Sequence, residues 1–213
     1  MGRGIQLLRH MEVVAFNPSI HSVEVVAQLI YETEPDFFSL YFGKKKKAVK
    51  RIQNLVLAGK NFFGQEFIHV AEEDKTILGM TLSYTGGDIN RKQESQIINK
   101  TMDFLGLLRL ILIYEFFISR ILTIEFEKDE LYLSNICVNK NHRGKGVGSA
   151  LLDHIIKQAK EKHCNSIVLD VKTENNIALN LYKKVGFDIV DMRFLKLFRA
   201  SAFKMVKIVS PKK

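Results

Sequence analysis

A glycine-rich segment between a strand pattern and a helix pattern constrains the fold of this chain more than any other feature. The segment reads VNKNHRGKGVGSALL and covers Val138–Leu152. The stretch ELYLSNICV, which ends at Val138, has the apolar character of a buried strand. After the glycines, apolar residues recur with the period of a helix, at Leu151, Ile155 and Ala159. The chain is therefore predicted to pass from a strand through a tight turn into a helix.

The start of that predicted helix is suited to bind an anion. The first N–H groups of a helix lack intrahelical partners, and the helix dipole places partial positive charge there. Gly144, Gly146 and Gly148 lack the Cβ atoms that would hold a phosphate away, and Arg143 and Lys145 add positive charge. The segment predicts a phosphate or pyrophosphate site, although glycines before a helix also serve as simple turn residues.

Two well-known phosphate-binding patterns do not fit this segment. The dinucleotide pattern GxGxxG fails because Leu151 stands where its third glycine is required. The nucleoside-triphosphate pattern GxxxxGK[ST] fails because the Lys-Ser/Thr pair is missing. The predicted anion site is therefore of another kind.

Strand and helix patterns alternate along the rest of the chain. Met11–Phe16 is typical of a strand, and helix patterns follow in SVEVVAQLI and in KKAVKRIQNLVLAGK, the latter ending at Gly59. FIHVAEEDKTILGMTLSY predicts a hairpin around EEDK. Near the end come the buried strand SIVLDV, the helix NNIALNLYKKV and the closing strands FDIVDM and AFKMVKIV. This order predicts an α/β fold with one mixed central sheet and flanking helices.

The segment Thr101–Ile124 is apolar on almost every side of a helix. Arg109, Glu115 and Arg120 interrupt it, so it is too often charged to be a membrane span. A helix of this kind is buried in the core, covers a ligand as a lid, meets a second subunit in a homodimer, or touches a membrane surface. The sequence leaves these four alternatives open.

Composition and charge narrow the classes of protein. The chain has 213 residues, 46% of them hydrophobic, with only three prolines, which is typical of one folded domain. The net charge of +9, partly from the run Lys44–Lys47, favours acidic partners. No interleaving of basic and aromatic residues accompanies it, so no nucleic acid partner is expected. The N-terminal sequence lacks the apolar core of a signal peptide, and a cytoplasmic location is predicted.

Cysteines and histidines give no sign of a disulfide framework or a metal site. Cys137 and Cys164 lie inside predicted strand or helix segments, which indicates reduced thiols. His142, His154 and His163 do not have metal-ligand spacing with Cys164, so no metal is expected.

Two motifs together resemble a known family. RGKGVG fits the pattern Arg/Gln-x-x-Gly-x-Gly/Ala, and LDVKTENNIALNLYKKVGF, at Leu169–Phe187, follows at the expected interval. Over about Leu131–Val190 the chain resembles the GNAT superfamily of acetyl-CoA-dependent N-acetyltransferases. The resemblance implies one GNAT-like domain over residues 11–208, with splayed parallel strands in its sheet. It also implies a helical insertion at about 93–124, with residues 1–10 and 209–213 as flexible tails.

The same resemblance implies where acetyl-CoA binds as the acyl donor. The cofactor would lie in a V between the strands Glu130–Val138 and Ser166–Val171. Its pantetheine arm would pair with the backbone of Ile136, Cys137 and Val138. Its pyrophosphate would be held by the amides of Arg143, Gly144, Lys145, Gly146, Val147, Gly148 and Ser149. Asn175 matches a position that contacts the cofactor in the family, and a helix N-cap is the alternative role for it.

For catalysis, the resemblance makes Tyr182 the general acid, with packing against Phe187 as its alternative role. The strand position where many relatives carry a glutamate base holds Tyr132 or Ser134 here. By the same resemblance, Asp170 matches a glutamate that serves as base in some relatives that acetylate protein N-termini. Glu130 lies on the same strand face as Tyr132, two residues earlier. Asp170, Glu130 and water alone are the alternatives for the base.

The expected reaction is direct attack of a primary amine, on a small molecule or a protein, upon acetyl-CoA in a ternary complex. A non-catalytic acyl-CoA-binding sensor or structural module is the alternative.

Overall fold

The computed structural model describes residues 10–104, 106–108, 127–195 and 200–209. Within these ranges seven strands form one mixed sheet in the order β1-β2-β3-β4-β5-β7-β6. All neighbouring strands in it are antiparallel except β4 and β5. The strands are β1 Glu12–Ala15, β2 Ile68–Glu73, β3 Thr76–Thr85, β4 Glu130–Val138, β5 Ser166–Lys172, β6 Asp188–Leu195 and β7 Ala200–Ile208. The predicted α/β class, the hairpin and the mixed sheet are confirmed.

Helices flank this sheet on both faces. In the described part of the chain they are α1 Val23–Thr33, α2 Pro35–Phe42, α3 Lys45–Ala58, α4 Arg91–Thr101, α5 Val147–Glu161 and α6 Asn176–Val185. The sequence pattern predicts no separate helix at α2. This helix starts with Pro35 in its first turn and buries Phe38 and Phe42, and only Glu34 separates it from α1.

The apolar core is divided by the sheet into two main clusters. One cluster packs α1 and α3 on the face of β4 and β5 that carries Tyr132 and Val168. The other packs α5 and α6 on the opposite face, which carries Leu131, Leu133 and Leu169. Residues on alternate positions of β4 and β5 thus point to different helical layers, as the strand period requires.

The parallel pairing of β4 with β5 stops after three residues. Their register joins Glu130 to Ser166, Leu131 to Ile167 and Tyr132 to Val168, and beyond these pairs the two strands are not in register contact. A bulge in β4 follows at once, because Leu82 of β3 pairs with Asn135 while Ser83 pairs with Leu133. The predicted splay of two parallel strands is confirmed.

Helix α5 rests on the sheet partly through polar side chains. The rings of His69 on β2 and His154 on α5 lie with their centroids 4.5 Å apart. Burial lowers the pKa of His69 to about 4, with a further contribution from the nearby charges of His154 and Lys162. Burial also lowers the pKa of His154. His69 Nδ1 and His154 Nε2 are buried without a hydrogen-bond partner among the described residues, so an added proton would gain no acceptor there.

We expect this histidine pair to make stability depend on pH. The unfolded imidazole of His69 has a pKa near 6.5 and the folded one near 4, so the unfolded state binds more protons between these values. The free energy of unfolding should therefore fall as the pH is lowered from 6.5 to 4. Thermal melts of the wild type and His69→Asn across this range measure the effect, with exposed His10→Asn as the control. An unchanged pH dependence in His69→Asn would contradict the assignment.

Candidate active site

The N-terminus of α5 presents backbone N–H groups that the helix itself does not use. Gly146 is the N-cap, in the left-handed conformation, and no side chain caps the helix. The N–H of Ala150 donates to the carbonyl of Gly146 over 3.1 Å. The N–H groups of Val147, Gly148 and Ser149 precede that bond and have no intrahelical carbonyl to reach. No acidic residue lies in the first turn, so this end of α5 is an uncompensated positive pole.

The glycines of this turn serve two different needs. Gly144 and Gly146 have φ values of +74° and +86°, which side chains disfavour, and a Cβ on either would meet open space. A Cβ on Gly148 would instead lie 3.2 Å from Leu181 on α6 and 3.7 Å from Val138 on β4. The first two glycines thus shape an open concavity, and the third allows close packing behind it.

Cationic side chains stand at the rim of this concavity. Lys145 is half-buried, and Arg143 is exposed with its Nε donating to the carbonyl of Val138 over 3.2 Å. Arg143 thereby ties the turn to the end of β4.

The open end of β4 carries the residues predicted to meet the pantetheine arm. Ile136, Cys137 and Val138 pair with β3 and lie beyond the last residue that pairs with β5. Burial raises the pKa of the Cys137 thiol to about 11, so at neutral pH it is a thiol and not a nucleophile.

Tyr182 lies on α6 in the cluster that faces α5. Its ring is buried, with its centroid 5.8 Å from that of Phe187. Burial raises the pKa of its phenol well above the usual value, so the hydroxyl keeps its proton at neutral pH. The described residues provide no hydrogen-bond partner for that hydroxyl. Packing against Phe187 is observed, and it leaves the hydroxyl available as a donor.

Asp170 lies on β5, two residues past the last pair with β4 and on the opposite face of the sheet from Tyr182's cluster. Its Oδ2 accepts a hydrogen bond from the Tyr132 hydroxyl over 3.2 Å. Burial raises the pKa of this carboxyl, and the Tyr132 hydrogen bond and the charges of Arg193 and Lys204 oppose the rise. Asp170 is therefore a half-buried carboxyl at the open end of the V.

The structure does not bring Glu130 to that open end. Glu130 is the first paired residue of β4, and its Oε1 accepts from the Ser166 hydroxyl over 3.0 Å. Its Oε2 accepts from the N–H of Glu127 over 2.9 Å. Both oxygens are thus engaged at the joined end of the V, which favours Asp170 over Glu130 as the base.

Asn175 is the N-cap of α6. Its Oδ1 accepts from the N–H of Ala178 over 3.2 Å, and the side chain is exposed. The capping role is observed, and its amide nitrogen is left for the contact with a cofactor that the resemblance implies.

Two contacts near the open end have no signal in the sequence. One is the hydrogen bond between Tyr132 and Asp170, and the other is the ion pair of Lys172 on β5 with Glu34 between α1 and α2, at 2.7 Å. Each joins residues from distant parts of the chain. A strand pattern identifies Tyr132 as inward-facing but does not say what its hydroxyl reaches.

Most of the apolar segment Thr101–Ile124 lies outside the described residues, as do residues 1–9 and 210–213. In the part of the chain that is described, no helix is long and apolar enough to cross a membrane. The same ranges contain no group of three His, Cys, Asp or Glu side chains that could hold a metal ion.

Comparison with known proteins agrees with this arrangement. The model of the acetyltransferase (GNAT) family matches residues 26–187, which is well over half of the chain. The chain belongs to this family. Membership of this family favours an acetyltransferase over the non-catalytic acyl-CoA-binding module.

Two similar curated proteins are acetyltransferases by name. N-alpha-acetyltransferase 30 of Saccharomyces cerevisiae is 32% identical over 35% of this chain and 43% of its own length. The [ribosomal protein bS18]-alanine N-acetyltransferase of Haemophilus influenzae is 43% identical over 30% of this chain and 44% of its own length. The chain thus matches less than half the length of these relatives. The crystal structure of an N-acetyltransferase from Staphylococcus aureus Mu50 has the same fold, with a TM-score of 0.73, 20% identity and coverage of 92% of this chain and 100% of its own.

The open concavity at Gly144 and Gly146 predicts how a side chain placed there changes the affinity for coenzyme A. Gly146→Ala puts a side chain into the left-handed region, which costs about 1 kcal/mol, and places a methyl group where the anion would lie. We expect the Kd for coenzyme A to rise about tenfold, as measured by calorimetry. Gly186→Ala is the matched control, because Gly186 is also in the left-handed conformation, with a φ of +91°, at the end of α6. Equal Kd values in the two variants would contradict the anion site.

Proposed function

We propose that this enzyme transfers the acetyl group of acetyl-CoA directly to the α-amine of a peptide or protein, within a ternary complex. The observation that carries the proposal is the gap between β4 and β5, which begins after Tyr132 and Val168. The gap joins the two faces of the sheet. A thioester held between the strands is reached by an amine from one face and by an acid from the other.

The pyrophosphate of acetyl-CoA fits the mouth of α5. The N–H groups of Val147, Gly148 and Ser149 are free of helical bonds, and Gly144 and Gly146 leave the approach open. Arg143 and Lys145 would add attraction for phosphate oxygens. The pantetheine arm would then run along the unpaired side of β4, beside Ile136 and Cys137.

The chemical step divides between the two faces of the sheet. The lone pair of the neutral amine attacks the thioester carbonyl carbon, and the carbon–sulfur bond breaks. Asp170, on the α1 and α3 face, takes the proton that the amine loses. Tyr182, on the α5 and α6 face, gives its proton to the departing thiolate. Since Cys137 is buried and protonated, transfer does not pass through an acetylated cysteine.

An α-amine suits a site whose base is a hydrogen-bonded aspartate. The α-amine has a pKa near 8, so about a tenth of it is neutral at pH 7, against about 0.04% of a lysine amine. Asp170 therefore has to deprotonate a smaller fraction of an α-amine acceptor than of a lysine acceptor. The two relatives named above as N-alpha and bS18-alanine acetyltransferases support this class of acceptor.

Acceptor class is tested with three probes at equal concentration. They are a peptide with a free N-terminal alanine and no lysine, its Nα-acetylated counterpart with one lysine, and the polyamine spermidine. We expect the free α-amine to have the highest kcat/KM by release of coenzyme A. A higher kcat/KM with the blocked lysine peptide or with spermidine would contradict the α-amine as the acceptor.

The acid role of Tyr182 predicts a loss of rate without a loss of affinity. Tyr182→Phe keeps the buried ring and removes the proton donor, so we expect kcat to fall by about a hundredfold. The Kd for acetyl-CoA should change little. The control is Phe187→Leu, which disturbs the same packing and retains the hydroxyl. If Phe187→Leu loses as much kcat as Tyr182→Phe, packing rather than proton transfer is responsible.

Direct transfer is tested separately. Incubation with acetyl-CoA and no acceptor should leave the intact mass of the protein unchanged, and initial rates should give intersecting double-reciprocal lines. An added acetyl mass that a later amine removes would contradict the ternary complex.

A further inference from the structure

We infer that Tyr132 is a positioning residue, whose hydroxyl fixes the carboxylate of Asp170 so that one oxygen faces the acceptor amine. This inference rests on the proposed role of Asp170 as the base. It assigns a function to the strand position where the sequence offers no carboxylate.

The register of the sheet places Tyr132 where it can do this. Tyr132 is the last residue of β4 that pairs with β5, opposite Val168. Asp170 comes two residues after Val168 and therefore lies on the same face. The Tyr132 hydroxyl reaches Asp170 Oδ2 over 3.2 Å, at the point where the two strands separate. The contact therefore joins β4 to β5 just beyond their last paired residues.

Packing holds the ring of Tyr132 in place. Its side chain is only 5% exposed, and it belongs to the cluster beneath α1 and α3. The ring of Tyr84 on β3 lies beside it, with the centroids 5.9 Å apart. A side chain confined in this way loses little further freedom when it donates a hydrogen bond.

The hydrogen bond from Tyr132 occupies one of the two carboxylate oxygens of Asp170. Burial raises the pKa of Tyr132 well above its usual value, so its hydroxyl donates and does not ionise. Oδ2 of Asp170 is held by this donor, which leaves Oδ1 for the proton of the amine. A hydrogen bond to the charged form also favours the ionised carboxylate of Asp170, and so opposes the effect of burial, which favours the protonated acid.

Other charged groups around Asp170 act on the same carboxyl. Arg193 and Asp191 face it from β6, and Lys204 faces it from β7. On β5 itself, Lys172 is paired with Glu34 from the α1–α2 junction. The cations favour the ionised carboxyl and Asp191 opposes it. Tyr132 acts on Asp170 through a hydrogen bond as well as through charge.

The test compares Tyr132→Phe with Tyr84→Phe and Asp170→Asn. In Tyr132→Phe the ring remains and the donor is lost, so the pKa of Asp170 should rise. The acidic limb of kcat/KM, measured with the free N-terminal alanine peptide, should move to higher pH by about one unit. Tyr84→Phe removes a hydroxyl from the neighbouring buried ring and should leave the limb in place. Asp170→Asn should abolish the limb.

The carboxyl is also titrated without any acceptor. In protein labelled with ¹³C-aspartate, the signal that Asp170→Asn removes is assigned to Asp170, and its pKa should be higher in Tyr132→Phe than in the wild type. If Tyr132→Phe does not fold, 2,3-difluorotyrosine at position 132 keeps the ring and gives a stronger donor. The pKa of Asp170 should then fall.

The outcomes separate this inference from the proposed function. A limb that Asp170→Asn abolishes and Tyr132→Phe leaves unmoved overturns the role of Tyr132 alone. A limb that persists in Asp170→Asn overturns Asp170 as the base, and the role of Tyr132 with it. A uniform loss of kcat in Tyr132→Phe at every pH, with an unchanged Asp170 titration, makes Tyr132 a packing residue only.

Discussion

The rest of this site depends on a parallel strand pairing that ends after three residues. At the joined end, Glu130 accepts from Ser166, and the N–H of Asn165 donates to the carbonyl of Asp129. These bonds hold β4 and β5 together at their start and so fix the origin of the gap. The bulge in β4 at Ser134 then turns the strand away. Pairing along the full length of both strands would satisfy their backbones and leave no place for a thioester between them.

The same gap explains why affinity and chemistry can be assigned to different parts of the chain. In the proposed complex the pyrophosphate requires positive charge and open backbone, which the turn at Gly144 and Gly146 and the start of α5 offer. The proposed chemical step uses one group from each face of the sheet. Tyr182 lies in the apolar cluster of α5 and α6, and Asp170 lies on the other face.

Local patterns in the sequence predict the frame of the site and not its contacts. The glycine turn, the hairpin and α5 follow from short-range rules, since turn residues and apolar periodicity act within a few positions. The bond of Tyr132 to Asp170 and the pair of Glu34 with Lys172 depend on register between strands far apart in the chain. Glu130 is a second case in which the local pattern does not predict the position in the site. Its residue type and strand made it a candidate base, and only the register shows that it lies at the joined end.

One physical cause, burial, acts on both groups that we propose as acid and base, and it raises the pKa of each. Burial raises the pKa of Tyr182. A raised pKa suits the proposed acid, because that group must keep its proton until the thiolate leaves. Burial also raises the pKa of Asp170. Its pKa thereby moves towards neutral pH, where an α-amine is partly deprotonated. Burial alone would carry Asp170 towards the protonated acid and end its use as a base. The hydrogen bond from the Tyr132 hydroxyl opposes that tendency, because it favours the charged carboxylate.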